Sequence, residues 1–313
     1  MTEIVRLQDL LSRSLIRRFE KKQALAFSDV VGSTPYFTRF GDEAGRKLQQ
    51  RHFDLIQGVA QMHGGRVVDT AGDGAFLCFQ DNSEAVKAMV QLQDRIAHDN
   101  DSRPVEHRLN VRIGCHFGSV LTDGNSVSGD SVNFCARVSS TAQSGEIRLS
   151  QAAYGELVDL PLRLRSRRIP SVELKGIDRP VPLYTLDWHD PTKFPTLVRF
   201  DDGTEIPLPS QDVIRFGRLR EQDGVAANDI VLTLTDPEAM SRISRWHFEL
   251  HLRSTGYLLR SVSAAVTRVD GKEVMKGEEV PVRPGIKIRL GDVLTLELTS
   301  DSGSSESTFF PTR

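Results

Sequence analysis

Short apolar runs alternate with amphipathic stretches along the first 187 residues. Residues 24–30 form a short apolar run, which is typical of a buried strand. Residues 41–62 carry apolar side chains at helical spacing and precede His63-Gly64-Gly65, a sequence that favours a helix end. The same alternation predicts strands at 66–69, 74–79 and 108–117, and helices at 83–97 and 130–142. This order predicts an α+β sandwich with helices on one face of a largely antiparallel sheet.

The pattern changes after Trp188-His189-Asp190-Pro191. Short β-rich runs then follow one another, separated by turns rich in glycine, proline and aspartate. These predicted strands lie at 196–200, 213–216, 229–234, 247–252, 257–260, 287–290 and 293–298. Such spacing predicts an all-β sandwich. We therefore expect two different domains, at residues 23–190 and 191–299.

The two ends of the chain have patterns of their own. Within residues 1–22, apolar side chains recur at helical spacing with arginine and lysine on the other side, which predicts an amphipathic helix. Such a helix can lie on a membrane, but we expect it to pack on its own domain or across a dimer. Residues 300–313 are rich in serine and predict a flexible tail.

Composition narrows the classes of function. The 313 residues are 39% hydrophobic and 26% charged, as in soluble globular proteins, and the formal net charge of -2 disfavours a nucleic-acid partner. No apolar run approaches the roughly 20 residues needed to span a bilayer, and the N-terminus lacks the features of a signal peptide. Cys78, Cys115 and Cys135 lack CxxC spacing, so we interpret them as buried thiols in a reducing compartment. We expect a cytoplasmic protein.

Two aspartates follow predicted strands. The run LAFSDVVGST places Asp29 at a strand end, and the following Gly32, Ser33 and Thr34 open a helix whose N–H groups suit a phosphate. Asp73 lies in the turn of VVDTAGDGAFLCF. Each alone is ordinary, as a helix cap or a turn residue. Together they could bind a pair of Mg²⁺ ions, the arrangement used for in-line displacement at phosphorus.

A third motif, SGDSVNFCARV, lies on a predicted helix. Its Asn133 and Arg137 are four residues apart, so they project from one face. An amide beside a guanidinium can orient a sugar and neutralise charge that develops on a phosphate. A solvated polar helix edge is the alternative for such a pair.

In order and spacing, these motifs resemble those of the class III adenylyl and guanylyl cyclases, over about residues 24–186. The matching stretches are AFSDVVGST, HGGRVVDTAGDGAFLCF, VRIGCHFGSV and GDSVNFCARVSS, with VELKGIDRPVPLYTL near the end. The resemblance implies a ferredoxin-like α+β domain. It also implies that ATP or GTP is converted to the 3′,5′-cyclic nucleotide and pyrophosphate.

The resemblance assigns roles to particular residues. Asp29 and Asp73 would hold two Mg²⁺ or Mn²⁺ ions, with the backbone carbonyl of Val30 as a further ligand. Asn133 would position the ribose and Arg137 would stabilise the pentavalent transition state. Lys175 matches a lysine that contacts the triphosphate. Gly32, Ser33 and Thr34, at the helix start that suits a phosphate, are the further candidate substrate-binding residues. In this family the aspartates and the Asn/Arg pair come from opposite subunits, which implies a head-to-tail homodimer.

Two positions that read the base in this family depart from its usual patterns. This chain has Asp69 four residues before Asp73, and Ser126 seven before Asn133. A carboxylate can accept from guanine N1–H, whereas adenine N1 carries no proton. That favours GTP, yet Asp is one methylene shorter than the usual Glu, and many bacterial members with irregular residues here are thought to make cyclic AMP. The base stays open.

Residues 195–298 resemble the forkhead-associated (FHA) fold, a β-sandwich that binds phosphothreonine peptides through its loops. The matching motifs are Gly217-Arg218 and Ser244-Arg245-Trp246-His247. The resemblance implies that Arg218 and Ser244 contact the phosphate, with Arg245 as an additional basic contact. We expect His247 to brace the loop.

One FHA feature is missing. Ala265-Val266 replaces the family's Asn-Gly, whose Asn normally holds the peptide backbone. The alternative is a sandwich that serves only dimer contacts or binds an unphosphorylated partner. Two hypotheses thus remain at this point: a signalling cyclase whose FHA domain recruits it to a phosphorylated partner, or a catalytically inactive cyclase-like dimer that acts as a phosphopeptide-binding adaptor.

Overall fold

The computed structural model describes residues 19–209 and 211–300. The chain divides into two compact units, with the division between Trp188 and His189. The predicted tail beyond Ser300 and most of the predicted N-terminal helix lie outside the described residues. The predicted α+β domain and all-β domain are both confirmed.

The first unit is built on a mixed sheet. Its strands are β1 (Glu20–Val30), β2 (Arg66–Ala71), β3 (Gly74–Phe79), β4 (Val111–Thr122), β5 (Val127–Ser128), β6 (Ile147–Ser150), β7 (Ser166–Arg168) and β8 (Leu183–Leu186). The order across the sheet is β2-β3-β1-β4-β6-β8-β7, with β5 paired to β4. All neighbours are antiparallel except β4 and β6, which are parallel.

The helices of this unit are α1 (Ser33–Met62), α2 (Asn82–Asp101), α3 (Asp130–Ser140), α4 (Gln151–Gly155) and α5 (Leu160–Leu164). A 3₁₀ turn spans Val105–His107. Helix α1 is interrupted at Gly41, whose φ of 82° is not helical. The predicted helix at 41–62 is therefore confirmed as the longer part of α1, and a shorter helical part precedes it.

Alternate residues of the central strands face opposite sides of the sheet. On β1, Ala24 and Ala26 join the main apolar core with α1 and α2, whereas Leu25 and Phe27 join a second core. β3 alternates in the same way, with Ala75, Leu77 and Phe79 in the main core and Phe76 and Cys78 in the second.

Helix α3 packs on this second face, where Cys135 is buried with Leu25. A Cβ on Gly114 of β4 would lie 2.3 Å from the backbone nitrogen of Ser139, so the helix can approach the strand only because residue 114 is glycine. The prediction that helices cover one face is wrong for α3. The physical reason is that the strands carry apolar side chains on both faces, and each face needs cover.

The start of β1 also differs from the prediction. Residues 20–22, assigned to the N-terminal helix, pair with residues 119–121 of β4. The long β4 offers backbone hydrogen-bonding groups beyond the apolar part of β1, and these groups are satisfied by extending the ladder.

The second unit is a β-sandwich. Its strands are β9 (Leu197–Phe200), β10 (Glu205–Pro207), β11 (Val213–Gly217), β12 (Glu221–Gln222), β13 (Val225–Ala226), β14 (Ile230–Val231), β15 (Phe248–Arg253), β16 (Gly256–Ser261), β17 (Thr267–Val269), β18 (Lys272–Glu273), β19 (Glu279–Val282), β20 (Lys287–Leu290) and β21 (Leu294–Thr299). A short helix, α6, spans Pro237–Ser241. One sheet has the order β10-β9-β21-β20-β17-β18 and the other β14-β11-β15-β16-β19, with β12 and β13 forming a hairpin. A single apolar core includes Phe216, Phe248 and Leu296.

Among the helices of the described residues, none combines the length and the apolar character needed to cross a membrane.

Candidate functional site

Asp29 lies near the end of β1, on the same side of the sheet as Leu25 and Phe27. It pairs with Arg112 of β4, whose guanidinium donates to Oδ2 of Asp29 from Nε at 2.9 Å and from Nη2 at 2.5 Å. The Asp29 side chain is only 18% exposed, so this charge-assisted pair fixes the orientation of its carboxylate. Both bonds end on Oδ2, so Arg112 does not use the Oδ1 acceptor. The sequence reasoning missed Arg112, whose one signal is its place in VRIGCHFGSV.

Asp73 and Gly72 form the turn between β2 and β3. β3 pairs antiparallel with β1, and Ala75 lies opposite Ser28. Asp29 is the next residue of β1 after Ser28. If the same register continues by one residue, the turn lies beside Asp29. The two predicted metal ligands therefore lie at the same end of neighbouring strands.

His52, which the sequence reasoning also missed, connects these strands from the other side of the sheet. It lies on α1 and is completely buried. Its Nε2 is 2.9 Å from Oγ of Ser28, and its Nδ1 is 3.0 Å from the carbonyl oxygen of Asp73. Burial lowers the pKa of His52 to about 4, so the imidazole is neutral near pH 7.

Helix α1 is separated from the end of β1 by two residues. Gly32 lies just before it with a φ of 76°, and Ser33 and Thr34 are its first residues. No described side chain caps this end, and its first turn carries no acidic residue. Its first backbone N–H groups are therefore free to bind an anion.

Asn133 and Arg137 lie one turn apart on α3 and line the same pocket, as their spacing predicts. The pocket has a volume of about 540 Å³. Its other lining residues are His116, Asp130, Ser131, Phe134, Gly176 and Ile177. Neither Asp29 nor Asp73 lines it. Within one chain, the structure therefore does not bring the two predicted halves of the site into one cavity.

His116 was not predicted as a pocket residue. Its Nδ1 is 2.9 Å from Oγ of Ser150, and its ring lies against that of Phe134, with centroids 4.6 Å apart. Burial lowers the pKa of His116 to about 4. The pocket thus contains a neutral imidazole beside the Asn/Arg pair.

Lys175 is exposed in a turn closed by a hydrogen bond from Ile177 N–H to the carbonyl of Leu174, at 3.0 Å. Gly176 has a φ of 73° in this turn, a conformation that favours glycine. A Cβ there would lie 3.6 Å from Nη2 of Arg137. The turn that carries Lys175 therefore lies against the Arg137 guanidinium.

Asp69 and Ser126 are both exposed, on β2 and just before β5 respectively. Arg66 of β2 donates from Nη1 to the carbonyl of Asn125 at 2.5 Å, which joins β2 to the β4–β5 hairpin. The Ser126 hydroxyl donates to Oδ1 of Asp123 at 3.0 Å. The two predicted base-reading residues thus lie on segments that are in direct contact.

In the second unit, Arg218 and Ser244 lie on adjacent loops, and the Arg218 N–H donates to the Ser244 carbonyl at 3.0 Å. Buried Asn228 holds these loops together, because its Nδ2 donates to the carbonyls of Leu219 and Arg245 at 2.8 Å each. The sequence reasoning missed Asn228, since an Asn before an Asp is ordinary turn composition.

The loop after α6 and the adjacent loop that carries Arg218 present exposed basic side chains. Arg218 and Arg245 are exposed, and Ser244, whose carbonyl accepts from the Arg218 N–H, is half-buried. The Arg245 guanidinium lies 5.7 Å from the ring centroid of Trp246, which is 39% exposed. Buried His247 accepts from the Ser244 N–H at Nδ1, at 3.1 Å, which confirms that it braces the loop.

Ala265 and Val266 form their hydrogen bonds through backbone groups. The Ala265 N–H donates to Oγ of Ser263 at 3.2 Å, and the Val266 carbonyl accepts from the Gly291 N–H at 2.8 Å. Neither side chain carries a hydrogen-bonding group, so this loop cannot hold a ligand through a side-chain amide.

Two known protein families match the two units of the chain. The model of the adenylate and guanylate cyclase catalytic domain matches residues 18–187. The chain belongs to this family. The model of the FHA domain matches residues 214–291, so a cyclase domain is followed by an FHA domain.

The curated relatives of this chain are similar to it over part of their length. The putative adenylate cyclase 3 of Rhizobium meliloti is 26% identical over 243 residues, which cover 75% of this chain and 41% of that protein. An adenylate cyclase of Streptomyces coelicolor is 28% identical over 154 residues, covering 49% and 37%. The adenylyl cyclase CyaB of P. aeruginosa, a solved structure, has a TM-score of 0.48 and 23% identity, covering 54% of this chain and 94% of that one. The chain spans less than half the length of the two curated relatives.

The cyclase domain offers donors that suit a hard divalent cation. The carboxylates of Asp29 and Asp73 and the carbonyl of Val30 are all oxygen donors, which Mg²⁺ and Mn²⁺ prefer. Asp29 already binds a cation, the Arg112 guanidinium. Residues 19–209 and 211–300 contain no group of three or more His, Cys, Asp or Glu that could hold a metal ion. Substrate oxygens, backbone oxygens and water would have to complete the coordination, as is usual for Mg²⁺.

We expect the His116→Gln variant to lose less stability than the parent protein as the pH falls from 6.5 to 4. The folded-state pKa of His116 is lowered from 6.5 to about 4. Its stability contribution is therefore present above pH 6.5 and is lost as the pH falls towards 4, because only the unfolded chain takes up the proton in that window. The difference between the proteins should be at most about 3 kcal/mol. Urea unfolding from pH 4 to 7 measures it, with His98→Gln as a surface control, and parallel curves for His116→Gln and the parent would contradict it.

Proposed function

We propose that this chain is a nucleotide cyclase that converts ATP or GTP to the 3′,5′-cyclic nucleotide and pyrophosphate at a homodimer interface. Membership of the cyclase family supports this proposal. One observation carries it furthest: the chain has both an Asn133–Arg137 pocket and a carboxylate pair, Asp29 and Asp73, yet the pocket lacks the carboxylates.

In the proposed reaction, the 3′-hydroxyl of the substrate releases its proton to solvent and its oxygen forms a bond to the α-phosphorus. The bond from that phosphorus to the leaving pyrophosphate breaks. Asn133 donates to and accepts from the ribose, which aligns the 3′-oxygen for in-line attack. Arg137 donates to the α-phosphate oxygens and neutralises the charge that grows on them in the pentavalent transition state. When bound, two Mg²⁺ or Mn²⁺ ions would lower the pKa of the 3′-hydroxyl and neutralise the triphosphate.

Two further groups would bind the triphosphate. Lys175 is exposed on the turn that lies against Arg137, so its ammonium can reach a phosphate chain held by that arginine. The uncapped start of α1, at Gly32, Ser33 and Thr34, supplies backbone N–H groups beside the carboxylate pair. The two groups lie on opposite halves of the composite site.

A second copy of the chain supplies the missing half in this proposal. A two-fold, head-to-tail dimer would place Asp29 and Asp73 of one subunit opposite the Asn133–Arg137 pocket of the other, twice. The separation of these sets within one chain supports the dimer, because a monomer would hold the metal ions away from the transition-state residues.

Mixing two inactive variants tests the composite site. Asp29→Asn and Arg137→Ala should each lower the rate of cyclic nucleotide formation by on the order of 10²-fold or more. Mixed and allowed to exchange subunits, they should recover about a quarter of the parental rate, because half of the dimers then hold one intact site of two. The rate is measured with Mn²⁺ and either ATP or GTP.

A mixture of Asp29→Asn with Asp73→Asn is the matched control, since both changes fall in the same half and no intact site can form. Equal rates in the two mixtures, once subunit exchange is shown with tagged chains, would contradict the composite site. A parent protein inactive with both nucleotides would instead support the inactive adaptor.

Asp69 and Ser126 are the residues we propose to select the base. The contact between Arg66 and Asn125 supports this pairing, because it joins the two segments that carry them. A carboxylate at 69 accepts from guanine, whereas an ammonium there would donate to adenine N1.

We therefore expect Asp69→Lys to raise the ratio of cyclic AMP to cyclic GMP formation by about tenfold or more. Asp69→Glu keeps the carboxylate and serves as the control, with a ratio that does not move towards cyclic AMP. Initial rates with each nucleotide measure the ratio. An unchanged ratio in Asp69→Lys would remove residue 69 from base selection.

We also propose that the FHA domain recruits the cyclase to a protein that contains phosphothreonine. The exposed side chains of Arg218 and Arg245 support this, because they are charge-assisted donors suited to a phosphate, and Arg218 lies next to Ser244 through a backbone hydrogen bond. The Ala265 side chain is apolar and cannot hydrogen-bond to the peptide backbone as the family's Asn does. We therefore expect weaker binding of the peptide backbone.

Arg218→Ala and Ser244→Ala should each lower the affinity for a degenerate phosphothreonine peptide pool, by about tenfold for the arginine. Fluorescence anisotropy measures the affinity, with Arg260→Ala, an exposed arginine of β16, as the control. Equal binding of the phosphorylated and unphosphorylated pools by the parent would refute recruitment through phosphothreonine and leave the cyclase proposal untouched.

A further inference from the structure

His52 occupies an unusual position for a polar residue. The buried residues of α1 form one stripe, which includes Leu48, His52, Ile56 and Val59. An apolar side chain would fill such a position without needing hydrogen-bond partners, and burying a polar group costs free energy unless it is paired. The histidine is nevertheless completely buried, and both of its ring nitrogens have partners.

The direction of each hydrogen bond follows from the chemistry of the partners. The carbonyl oxygen of Asp73 can only accept, so Nδ1 of His52 carries the proton and donates to it. Nε2 of the neutral ring must then accept, and it does so from the hydroxyl of Ser28, which is also completely buried. A continuous hydrogen-bonded chain thus runs from Ser28 through His52 to Asp73.

This chain connects the backbones of the two proposed metal ligands. Ser28 directly precedes Asp29 on β1, and because side chains alternate, Ser28 points to α1 while Asp29 points to the opposite face. Asp73 lies at the tip of the turn, beyond the last pair between β2 and β3. Sheet pairing therefore fixes Asp29, whereas the tip is held to β1 through His52.

We propose that His52 is a positioning residue, which sets the spacing between Asp29 and Asp73 and thereby the affinity of the carboxylate pair for divalent cations. The inference rests on the proposed cyclase function, since it assigns a purpose to the same carboxylates. His52 touches neither substrate nor metal in this scheme. It acts through the carbonyl of Asp73 and the hydroxyl of Ser28.

The test compares three variants with the parent chain. His52→Leu removes both hydrogen bonds at similar volume, His52→Asn keeps a donor for the Asp73 carbonyl, and Ile56→Val changes the same apolar stripe one turn away without touching the chain of hydrogen bonds. Mn²⁺ affinity is measured by electron paramagnetic resonance of the free ion, without nucleotide. Amide hydrogen exchange is measured for the segment 71–75, and thermal unfolding is measured for all proteins.

We expect His52→Leu to weaken Mn²⁺ binding by about 10- to 100-fold, the usual effect of removing a residue that orients a metal ligand. Exchange in the turn should rise in the same variant. His52→Asn should recover most of both, and Ile56→Val should change neither, even where it lowers the unfolding temperature. Parental Mn²⁺ affinity and exchange in His52→Leu would overturn the proposal.

Three further outcomes are distinguishable. If His52→Leu does not fold, Ser28→Ala removes only one of the two hydrogen bonds, and it should weaken Mn²⁺ binding by a few fold; no weakening would overturn the inference. If the parent binds Mn²⁺ but forms no cyclic nucleotide, the proposed function fails while the positioning role is still decided by the Mn²⁺ affinities. If the parent binds no Mn²⁺, the metal-positioning role is overturned directly.

Discussion

The antiparallel pairing of β1 with β4 is the constraint on which the cyclase domain depends. It runs without interruption from Glu20 opposite Leu121 to Val30 opposite Val111. Because register is specified along its whole length, a slip of one residue would send every side chain of β1 to the wrong face. The same register places Asp29 directly against Arg112, so the carboxylate is balanced by a cation of the same chain.

The two faces of this sheet differ in the side chains they carry. The face under α1 and α2 contains the main core, and it is also where His52 reaches Ser28. The face under α3 holds residues of the proposed site, and strand alternation places Asp29, Arg112 and His116 on it. Gly114 is what allows α3 to lie close to this face, and the position of Asn133 and Arg137 depends on that approach.

In the FHA domain, the hydrogen bonds that hold the loops differ in completeness from the set of side chains proposed to contact a ligand. Its loops are held by side-chain hydrogen bonds. Asn228 and His247 bind the backbones of the segments that carry Arg218 and Ser244. The family's amide on the neighbouring loop is absent, with Ala265 in its place. In the proposed recruitment, charged donors for a phosphate would thus be retained and a contact to the peptide backbone would be lost, so recognition would depend mainly on the phosphate.

The amino-acid sequence by itself determined the two domains, most of the main elements and the members of each proposed half of the site. Strand and helix periods are local properties, and the spacing of Asn133 and Arg137 alone puts them on one helix face. Only the tertiary structure decided that α3 covers the second face of the sheet and that Arg112 neutralises Asp29. It alone also decided that a buried histidine connects Ser28 to Asp73. These contacts join residues 83, 24 and 21 positions apart, and no local pattern records which distant polar groups will share a hydrogen bond once the apolar faces are buried.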